Sequence, residues 1–89
     1  INAGRGGLVN EAALAEALVA GKIAGAGFDV TSVEPMPADH PFQALLGRPD
    51  FILTPHVAWA SRQATQAVAD QVFANIDALI AGKPVNVVG

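Results

Sequence analysis

Residues 23–30, Ile-Ala-Gly-Ala-Gly-Phe-Asp-Val, decide the fold class of this chain. The stretch is short, and it is small and apolar except for one aspartate, as is typical of a strand buried on both faces of a parallel sheet. Residues 51–53, Phe-Ile-Leu, predict another buried strand, which ends at Thr54-Pro55 because proline has no N–H to donate to a sheet. Residues 1–3 are interpreted as the end of an earlier strand. A helix is predicted between residues 1–3 and residues 23–30, so the predicted fold class is α/β with a parallel sheet.

That first helix is predicted from apolar residues at helical spacing. Asn10 is a candidate N-cap, and Gly21 is a candidate C-terminal stop. Between them, Leu14, Leu18 and Val19 are expected to fall on one face.

A longer helix is predicted from the N-cap Ser61 to about Ala81, with Gly82 as its stop. At 1.5 Å per residue it would be roughly 30 Å long. Its apolar face comprises Ala64, Val68, Val72, Ile76 and Leu79 or Ile80. Nothing else in the sequence is large enough to cover that face, so we expect it to dock on chain outside these residues. The tail, residues 83–88, is predicted to be extended.

Residues 31–50 hold four of the six prolines and are predicted to be mostly irregular, with a helical turn over residues 42–46. Long loops in compact domains are often functional. Within this segment, His40 lies between Asp39 and Pro41 and is expected to be a solvated loop residue.

Composition and charge argue against several classes of protein. Hydrophobic residues make up 52% of the chain, and the nine glycines bring the share to about 62%, against roughly 45–50% in globular domains, which suits an interior segment of a longer chain. The net charge is −3 and the five cations are scattered, at Arg5, Lys22, Arg48, Arg62 and Lys83, which argues against a nucleic-acid surface. Neither a membrane span of roughly 20 apolar residues nor a signal-peptide pattern is present. The absence of cysteine favours a reducing compartment, so we expect a cytoplasmic protein.

Four polar residues are associated with the ends of the predicted strands. Arg5 follows the first strand, Asp29 lies in the second, Glu34 follows it, and His56 comes directly after the third. Ligands of open α/β sheets bind outside the carboxyl ends of the strands. We therefore expect these side chains to converge at one edge of the sheet.

Arg5 lies in the glycine-rich turn Gly4-Arg5-Gly6-Gly7. A guanidinium donates two parallel hydrogen bonds to a small carboxylate, and flanking glycines let a ligand approach the backbone. From these residues alone, the alternative interpretation, that Arg5 is a surface arginine in a turn, is equally open. The turn is not a dinucleotide-binding motif, because Val9 stands where that motif has its third glycine.

His56 suits proton transfer near neutral pH, and a carboxylate such as Glu34 would favour its protonated form. The pattern alone favours the alternative, a loop histidine with an internal partner. No metal site is predicted, because His40 and His56 lie in unlike contexts and no cysteine supports them.

Asp29 and Trp59 each allow two interpretations. A carboxylate in an apolar strand needs a hydrogen-bond donor, which for Asp29 is either a backbone or loop group or the amide of a ligand. Trp59, the single tryptophan, either packs in a core or lines a pocket or interface.

Three segments of the chain resemble, in order and spacing, successive signatures of the D-2-hydroxyacid dehydrogenases. They are Ile-Asn-Ala-Gly-Arg-Gly-Gly-Leu-Val-Asn-Glu (1–11), Gly-Ala-Gly-Phe-Asp-Val (25–30) with Glu34-Pro35, and Thr54-Pro55-His56. The resemblance covers about the first sixty residues, and the long helix with its Gly-Lys-Pro tail also fits the family. It implies the C-terminal part of a Rossmann-type doubly wound parallel sheet, followed by a long helix that returns to the substrate domain.

The resemblance also implies three catalytic roles. Arg5 binds the carboxylate and carbonyl oxygen of the substrate, and His56 exchanges a proton with the substrate oxygen. Glu34 pairs with this histidine, orients it and favours its charged form. The implied reaction is reversible hydride transfer between a nicotinamide ring and C2 of a small 2-oxo acid.

The implied cofactor is NAD(H) or NADP(H). The resemblance places Ala3, Gly4, Arg5, Asp29 and His56 at this cofactor, with Asp29 meeting the nicotinamide carboxamide. The Gly-x-Gly-x-x-Gly turn that binds the dinucleotide is expected outside this sequence.

Departures from the common family pattern narrow the expected substrate. Residues 57–61, Val-Ala-Trp-Ala-Ser, resemble glycerate dehydrogenases and hydroxypyruvate reductases, because the common pattern has glycine two residues after the histidine. Asn10 also replaces the usual aspartate, a change that still allows the helix to be capped. Glu34 stands where formate dehydrogenases carry glutamine, which argues against that branch of the family. We expect hydroxypyruvate or glyoxylate as substrate, with Trp59 in the substrate pocket. The alternatives are phosphoglycerate dehydrogenase and an NAD(H)-binding corepressor that shares the fold and the catalytic trio.

The resemblance predicts a division of the chain into three parts. Residues 1–55 form the C-terminal part of the dinucleotide-binding domain, residues 56–81 the catalytic loop and interdomain helix, and residues 82–89 the start of the return into the substrate domain. The isolated 89 residues are expected to be inactive, and the full-length parent is expected to be a homodimer.

Overall fold

The computed structural model describes residues 1–89 and divides them into two units, Ile1–Val57 and Ala58–Gly89. The elements of the first unit are helix α1 (Glu11–Val19), strand β1 (Ala26–Phe28), a 3-10 helix (Pro41–Leu45) and strand β2 (Phe51–Leu53). The second unit contains a 3-10 helix (Ala58–Ala60) and helix α2 (Arg62–Ile80). The predicted order of helices and strands is confirmed.

The sheet of the first unit is parallel. β1 pairs with β2 in the register that sets Phe28 against Leu53, and Asn2 forms a parallel bridge to Phe28 on the other side of β1. Asn2 N donates to Gly27 O at 2.8 Å, and Thr54 N donates to Phe28 O at 2.9 Å. β1 is therefore central, and the chain leaves all three extended segments at the same edge.

β1 is shorter than the predicted strand of residues 23–30. Its ladder begins only at Ala26, whose N–H donates to Asp50 O, because the chain is still turning away from α1 at Lys22, which donates to Ala17 O. Beyond Phe28 the chain stays buried, since Val30 is 2% exposed, but it is no longer part of the strand. The predicted burial is confirmed for Phe28 to Val30 but was wrong for residues 23–25, which are exposed, and the length of the pairing was overestimated. In β2, which was also predicted to be buried, Ile52 is 65% exposed.

α1 begins and ends as the sequence predicts. The Asn10 side chain accepts a hydrogen bond from Ala13 N, and Gly21 adopts a left-handed φ of +68° after the last turn. Leu18 is buried and Leu14 packs against the core, but Val19 is exposed. The prediction of a shared apolar face was wrong for Val19, which lies about 100° around the helix from Leu18.

The core of the first unit is built around aromatic side chains. Phe42 is fully buried and makes edge-to-face contacts with Phe28 and Phe51, with ring centroids 4.8 Å and 5.0 Å apart. Leu18 of α1 and Leu45 complete the cluster. The helical turn predicted near residues 42–46 is present as the 3-10 helix, and it carries both Phe42 and Leu45 into the core.

The second unit consists mainly of α2, whose N-cap is Ser61, as predicted, and after which Gly82 has a φ of +70°. No residue of α2 is buried, so its predicted apolar face is uncovered within these residues. Trp59 is 61% exposed in the short 3-10 helix. Neither helix is long and apolar enough to span a membrane.

Candidate active site

Three loops that leave the carboxyl edge of the sheet carry the predicted site residues of the first unit. Arg5 follows the extended residue Asn2, Glu34 lies six residues beyond the end of β1, and His56 lies three residues beyond β2. The parallel pairing brings these loops to one edge, as the sequence predicts.

Glu34 and His56 form a hydrogen-bonded pair. Glu34 Oε2 lies 2.6 Å from His56 Nδ1, and Glu34 Oε1 accepts from Thr31 N at 3.0 Å. The hydrogen bond with His56, followed by the one from Thr31, holds the pKa of the Glu34 carboxyl below its ordinary value. Glu34 is therefore an ionised acceptor near neutral pH, and His56 Nδ1 is the donor.

The backbone of His56 adopts a left-handed conformation, with φ at +54°. This conformation is uncommon for a residue other than glycine and costs roughly 1–3 kcal/mol unless surrounding contacts impose it. Contacts on both sides of the histidine do so, because Thr54 Oγ1 and Val57 N both donate to Asp29 Oδ1, at 2.5 Å and 2.9 Å. Asp29 thus holds the loop that presents the imidazole.

The same contacts explain how the carboxylate of Asp29 is buried. Asp29 is 7% exposed, and its donors are a side chain and a backbone N–H of the next loop. Of the two interpretations that the sequence leaves open, the internal partner is present in the structure.

The Arg5 turn is organised by Asn2. The Asn2 side chain donates to Arg5 O at 2.9 Å and accepts from Gly4 N at 3.1 Å, while the exposed guanidinium of Arg5 donates one hydrogen bond to Gly4 O. Asn2 was not identified from the sequence, although an asparagine two residues before a glycine-rich turn is a recognisable signal for such side chain to backbone bonds.

Two cavities adjoin the Glu34–His56 pair. The smaller, of about 250 Å³, is lined by Arg5, Glu34 and His56 together with four other residues: Gly6, Val30, Thr31 and Ser32. The larger, of about 600 Å³, is mainly apolar and is lined by Asp29, Thr31, Glu34, Pro35, Met36, Leu53, Thr54, Pro55 and His56. The structure therefore brings the three predicted catalytic residues around one depression, with an apolar cleft that also reaches the pair.

The prediction for His40 was wrong. His40 is 7% exposed, its Nδ1 accepts from Phe42 N at 3.1 Å, and its Nε2 lies 2.8 Å from Glu11 Oε2. The ring caps the 3-10 helix and bonds to a carboxylate on α1, so it is a buried structural residue. The neighbours Asp39 and Pro41 suggested that His40 is exposed to solvent, but its carboxylate partner, Glu11, lies 29 residues away in the sequence.

A parallel sheet with polar residues at its carboxyl edge is the arrangement in which open α/β domains bind their ligands. The family model for the NAD-binding domain of D-isomer specific 2-hydroxyacid dehydrogenases matches residues 1–58, and the chain belongs to this family. The resemblance found in the sequence and the predicted Rossmann-type fold are both confirmed.

Known relatives and structures agree with that assignment. The chain is 56% identical over 88 residues to a glycerate dehydrogenase of Methylorubrum extorquens, covering 99% of this chain and 28% of that protein. A glyoxylate/hydroxypyruvate reductase of Sinorhizobium meliloti, solved with NADP and malonate, is 44% identical with a TM-score of 0.64, over 96% of this chain and 27% of that chain. An acyclic imino acid reductase solved with NADPH and D-Arg has a TM-score of 0.71 at 35% identity, and the match covers 99% of this chain and 27% of that chain. The chain thus spans about a quarter of the length of these relatives.

Proposed function

We propose that the full-length protein containing this chain reduces a small 2-oxo acid, hydroxypyruvate or glyoxylate, with NADH or NADPH, and in reverse oxidises D-glycerate or glycolate. One observation carries the proposal: Arg5, Glu34 and His56 line the same 250 Å³ depression, with Glu34 and His56 joined at 2.6 Å. Its size and charge suit a molecule of a few carbon atoms with a carboxylate.

Arg5 is proposed to bind the substrate. Its guanidinium is exposed and commits one N–H to Gly4 O, which leaves donors for the two parallel hydrogen bonds that a carboxylate accepts. The flanking Gly4 and Gly6 have no side chains of their own. This geometry supports binding of the carboxylate and the adjacent carbonyl oxygen.

His56 is proposed to be the acid of the reduction. Nicotinamide, when bound, supplies the hydride that goes to C2 of the substrate. The carbonyl oxygen takes up a proton from His56 Nε2, so the C=O double bond becomes an alcohol and the imidazole becomes neutral. Glu34, ionised and bonded to Nδ1, stabilises the imidazolium before the transfer and orients Nε2 towards the substrate. Solvent then returns the proton.

The 600 Å³ cleft is proposed to receive the nicotinamide ring. Its apolar residues, among them Leu53, Pro55 and Met36, suit the faces of a planar ring, and Asp29, which also lines the cleft, is proposed to meet the carboxamide. Ala3, Gly4, Arg5 and His56 are proposed to contact the cofactor from the neighbouring loops.

Trp59 is proposed to line the substrate pocket of the full-length protein. The resemblance of residues 57–61 to hydroxypyruvate reductases supports this role, as does its exposed indole. The same resemblance, together with the 56% identity to a glycerate dehydrogenase, supports hydroxypyruvate over phosphoglycerate.

The place of the chain in the full-length protein is likewise a proposal. Residues 1–55 complete the dinucleotide-binding domain, residues 56–81 form the catalytic loop and interdomain helix, and residues 82–89 begin the return to the substrate domain. The uncovered apolar face of α2 supports docking on further chain. A cytoplasmic homodimer is expected from the absence of cysteine and from the family resemblance.

Oxidation of NADH and NADPH by the purified full-length protein tests the proposed reaction. Hydroxypyruvate and glyoxylate should each support turnover without an added amine. Turnover only when an amine is supplied would indicate imine reduction, and cofactor binding without turnover would indicate a corepressor-like protein. Either result would contradict the proposed reaction.

A further inference from the structure

Glu11 is a buried carboxylate to which the proposed reaction assigns no role. It is the first residue of α1 and is 8% exposed. Its Oε1 accepts from Ser32 N at 2.7 Å, and its Oε2 accepts from Ser32 Oγ at 2.6 Å and lies 2.8 Å from His40 Nε2. Three donors thus converge on one carboxylate.

The donors are fixed in number and direction. Because His40 Nδ1 accepts from Phe42 N, the ring proton is on Nε2 and points to Glu11. Ser32 contributes both its hydroxyl and its backbone N–H. Burial raises the pKa of the Glu11 carboxyl, but the hydrogen bonds from Ser32 and His40 outweigh burial and hold the pKa below its ordinary value. Glu11 is therefore ionised at neutral pH.

The loop that Glu11 holds is the one that carries Glu34. Glu11 binds Ser32, and the preceding backbone N–H, that of Thr31, donates to Glu34 Oε1 at 3.0 Å. The other oxygen of Glu34 meets His56 Nδ1. Glu11 on α1 is therefore connected to the imidazole of His56 by hydrogen bonds through the adjacent residues Ser32 and Thr31 and through Glu34.

The Arg5 turn packs against the same two residues. A Cβ on Gly6 would lie 2.0 Å from Thr31 O and 2.6 Å from Ser32 N, so only glycine allows this approach. The Thr31–Ser32 segment is thus in close contact with Gly6 and hydrogen-bonded to Glu11. Its position determines both the placement of Glu34 and the distance between Glu34 and Arg5.

We infer that Glu11 is a positioning residue, which fixes the Thr31–Ser32 segment so that Glu34 is correctly placed against His56. The inference rests on the proposed function, because it assumes that the Glu34–His56 pair serves the reaction. Glu11 itself does not line either cavity at the pair.

A double-mutant cycle in the full-length protein tests this role. Glu11→Gln presents an amide N–H₂ among three donors, so the loop should shift and kcat for hydroxypyruvate reduction should fall on the order of 10-fold. Glu16→Gln, the same change at an exposed position of α1, is the matched control and should leave kcat unchanged. In a Glu34→Gln background, Glu11→Gln should lower kcat no further, since the group through which it acts is already absent.

The outcomes separate the inference from the function on which it rests. Independent effects of Glu11→Gln and Glu34→Gln, multiplying in the double variant, would show a merely structural role and overturn the inference alone. An unimpaired Glu11→Gln variant would do the same. An unimpaired Glu34→Gln variant would overturn both the proposed pair and the inference. If Glu11→Gln does not fold, Ser32→Ala, which removes one hydrogen bond to Glu11, should give a smaller loss of kcat that also vanishes in the Glu34→Gln background.

Discussion

Glu34 Oε2 lies 2.6 Å from His56 Nδ1, although the two residues are 22 positions apart in the sequence and lie on loops after different strands. Parallel pairing of β1 and β2 brings those loops to one edge, and the left-handed backbone at His56 presents the imidazole there. The relationship links the fold to the proposed chemistry, because an ionised carboxylate at this distance accepts from Nδ1 and orients Nε2, the atom that would donate the proton in the proposed reduction of a 2-oxo acid.

Glu34→Gln is expected to lower kcat/KM for the proposed reduction across the neutral pH range. The pKa of Glu34 lies below its ordinary value of 4.5, so the carboxylate is charged through this range and accepts the hydrogen bond from His56 Nδ1. A neutral glutamine lacks this charge and meets Nδ1 only through an amide, so the imidazole is less firmly oriented. Measurements of kcat/KM between about pH 6 and 8 on the full-length protein give the loss. Equal values for the two proteins throughout that range would show that the pair does not serve the reaction.

Arg5→Ala is expected to raise the KM for the 2-oxo acid and to lower kcat. The variant loses the paired hydrogen bonds to the carboxylate, and a charge-assisted bond is worth roughly 1.5–3 kcal/mol. Arg5→Lys, which keeps the charge and loses the planar fork, should recover only part of the loss. Steady-state kinetics with hydroxypyruvate check both variants; a wild-type substrate response in Arg5→Ala would remove this residue from the site.

Gly6→Ala is expected to disrupt the site. The new Cβ would lie 2.0 Å from Thr31 O, a backbone atom that moves only with its loop. Overpacking of this kind costs roughly 1–3 kcal/mol, and kcat should fall as Glu34 is displaced. Gly7→Ala is the comparison: its Cβ meets nothing within 4 Å, so the cost is that of a φ of +81°, about 1 kcal/mol. Urea unfolding and steady-state kinetics check this expectation. A Gly6→Ala variant with an unchanged free energy of unfolding and an unchanged kcat would contradict it.

The contribution of Glu11 to stability is expected to depend on pH. Its pKa in the folded state lies below the ordinary value of 4.5, so the stabilisation is complete above that pH and is lost as the pH falls through the lowered pKa. The difference in free energy of unfolding between wild type and Glu11→Gln should therefore be constant near neutrality and shrink in acid. A difference that stays constant down to the acid limit of folding would show that Glu11 does not titrate as described.

The sequence predicted the fold class and the convergence of Arg5, Glu34 and His56 at one edge, because each rests on local signals. Apolar stretches, caps and proline stops determined the order of elements, and polar residues at strand ends indicated the edge where Arg5, Glu34 and His56 meet. Glu11 and His40 were not identified as partners because their bond joins residues 29 positions apart and depends on how α1 packs over the proline-rich loop. Both ends of β1 were misplaced for a similar reason, since pairing depends on the neighbouring chain rather than on apolar composition.

Turnover of hydroxypyruvate by the full-length protein, compared between wild type and His56→Gln, tests the central claim most directly. Glutamine keeps a polar side chain but cannot donate a proton as an acid, and acid catalysis by a placed histidine contributes roughly 100- to 10,000-fold. We expect NADH or NADPH oxidation by the wild-type protein and a loss of kcat within that range in the variant. Equal turnover by the two proteins would contradict it.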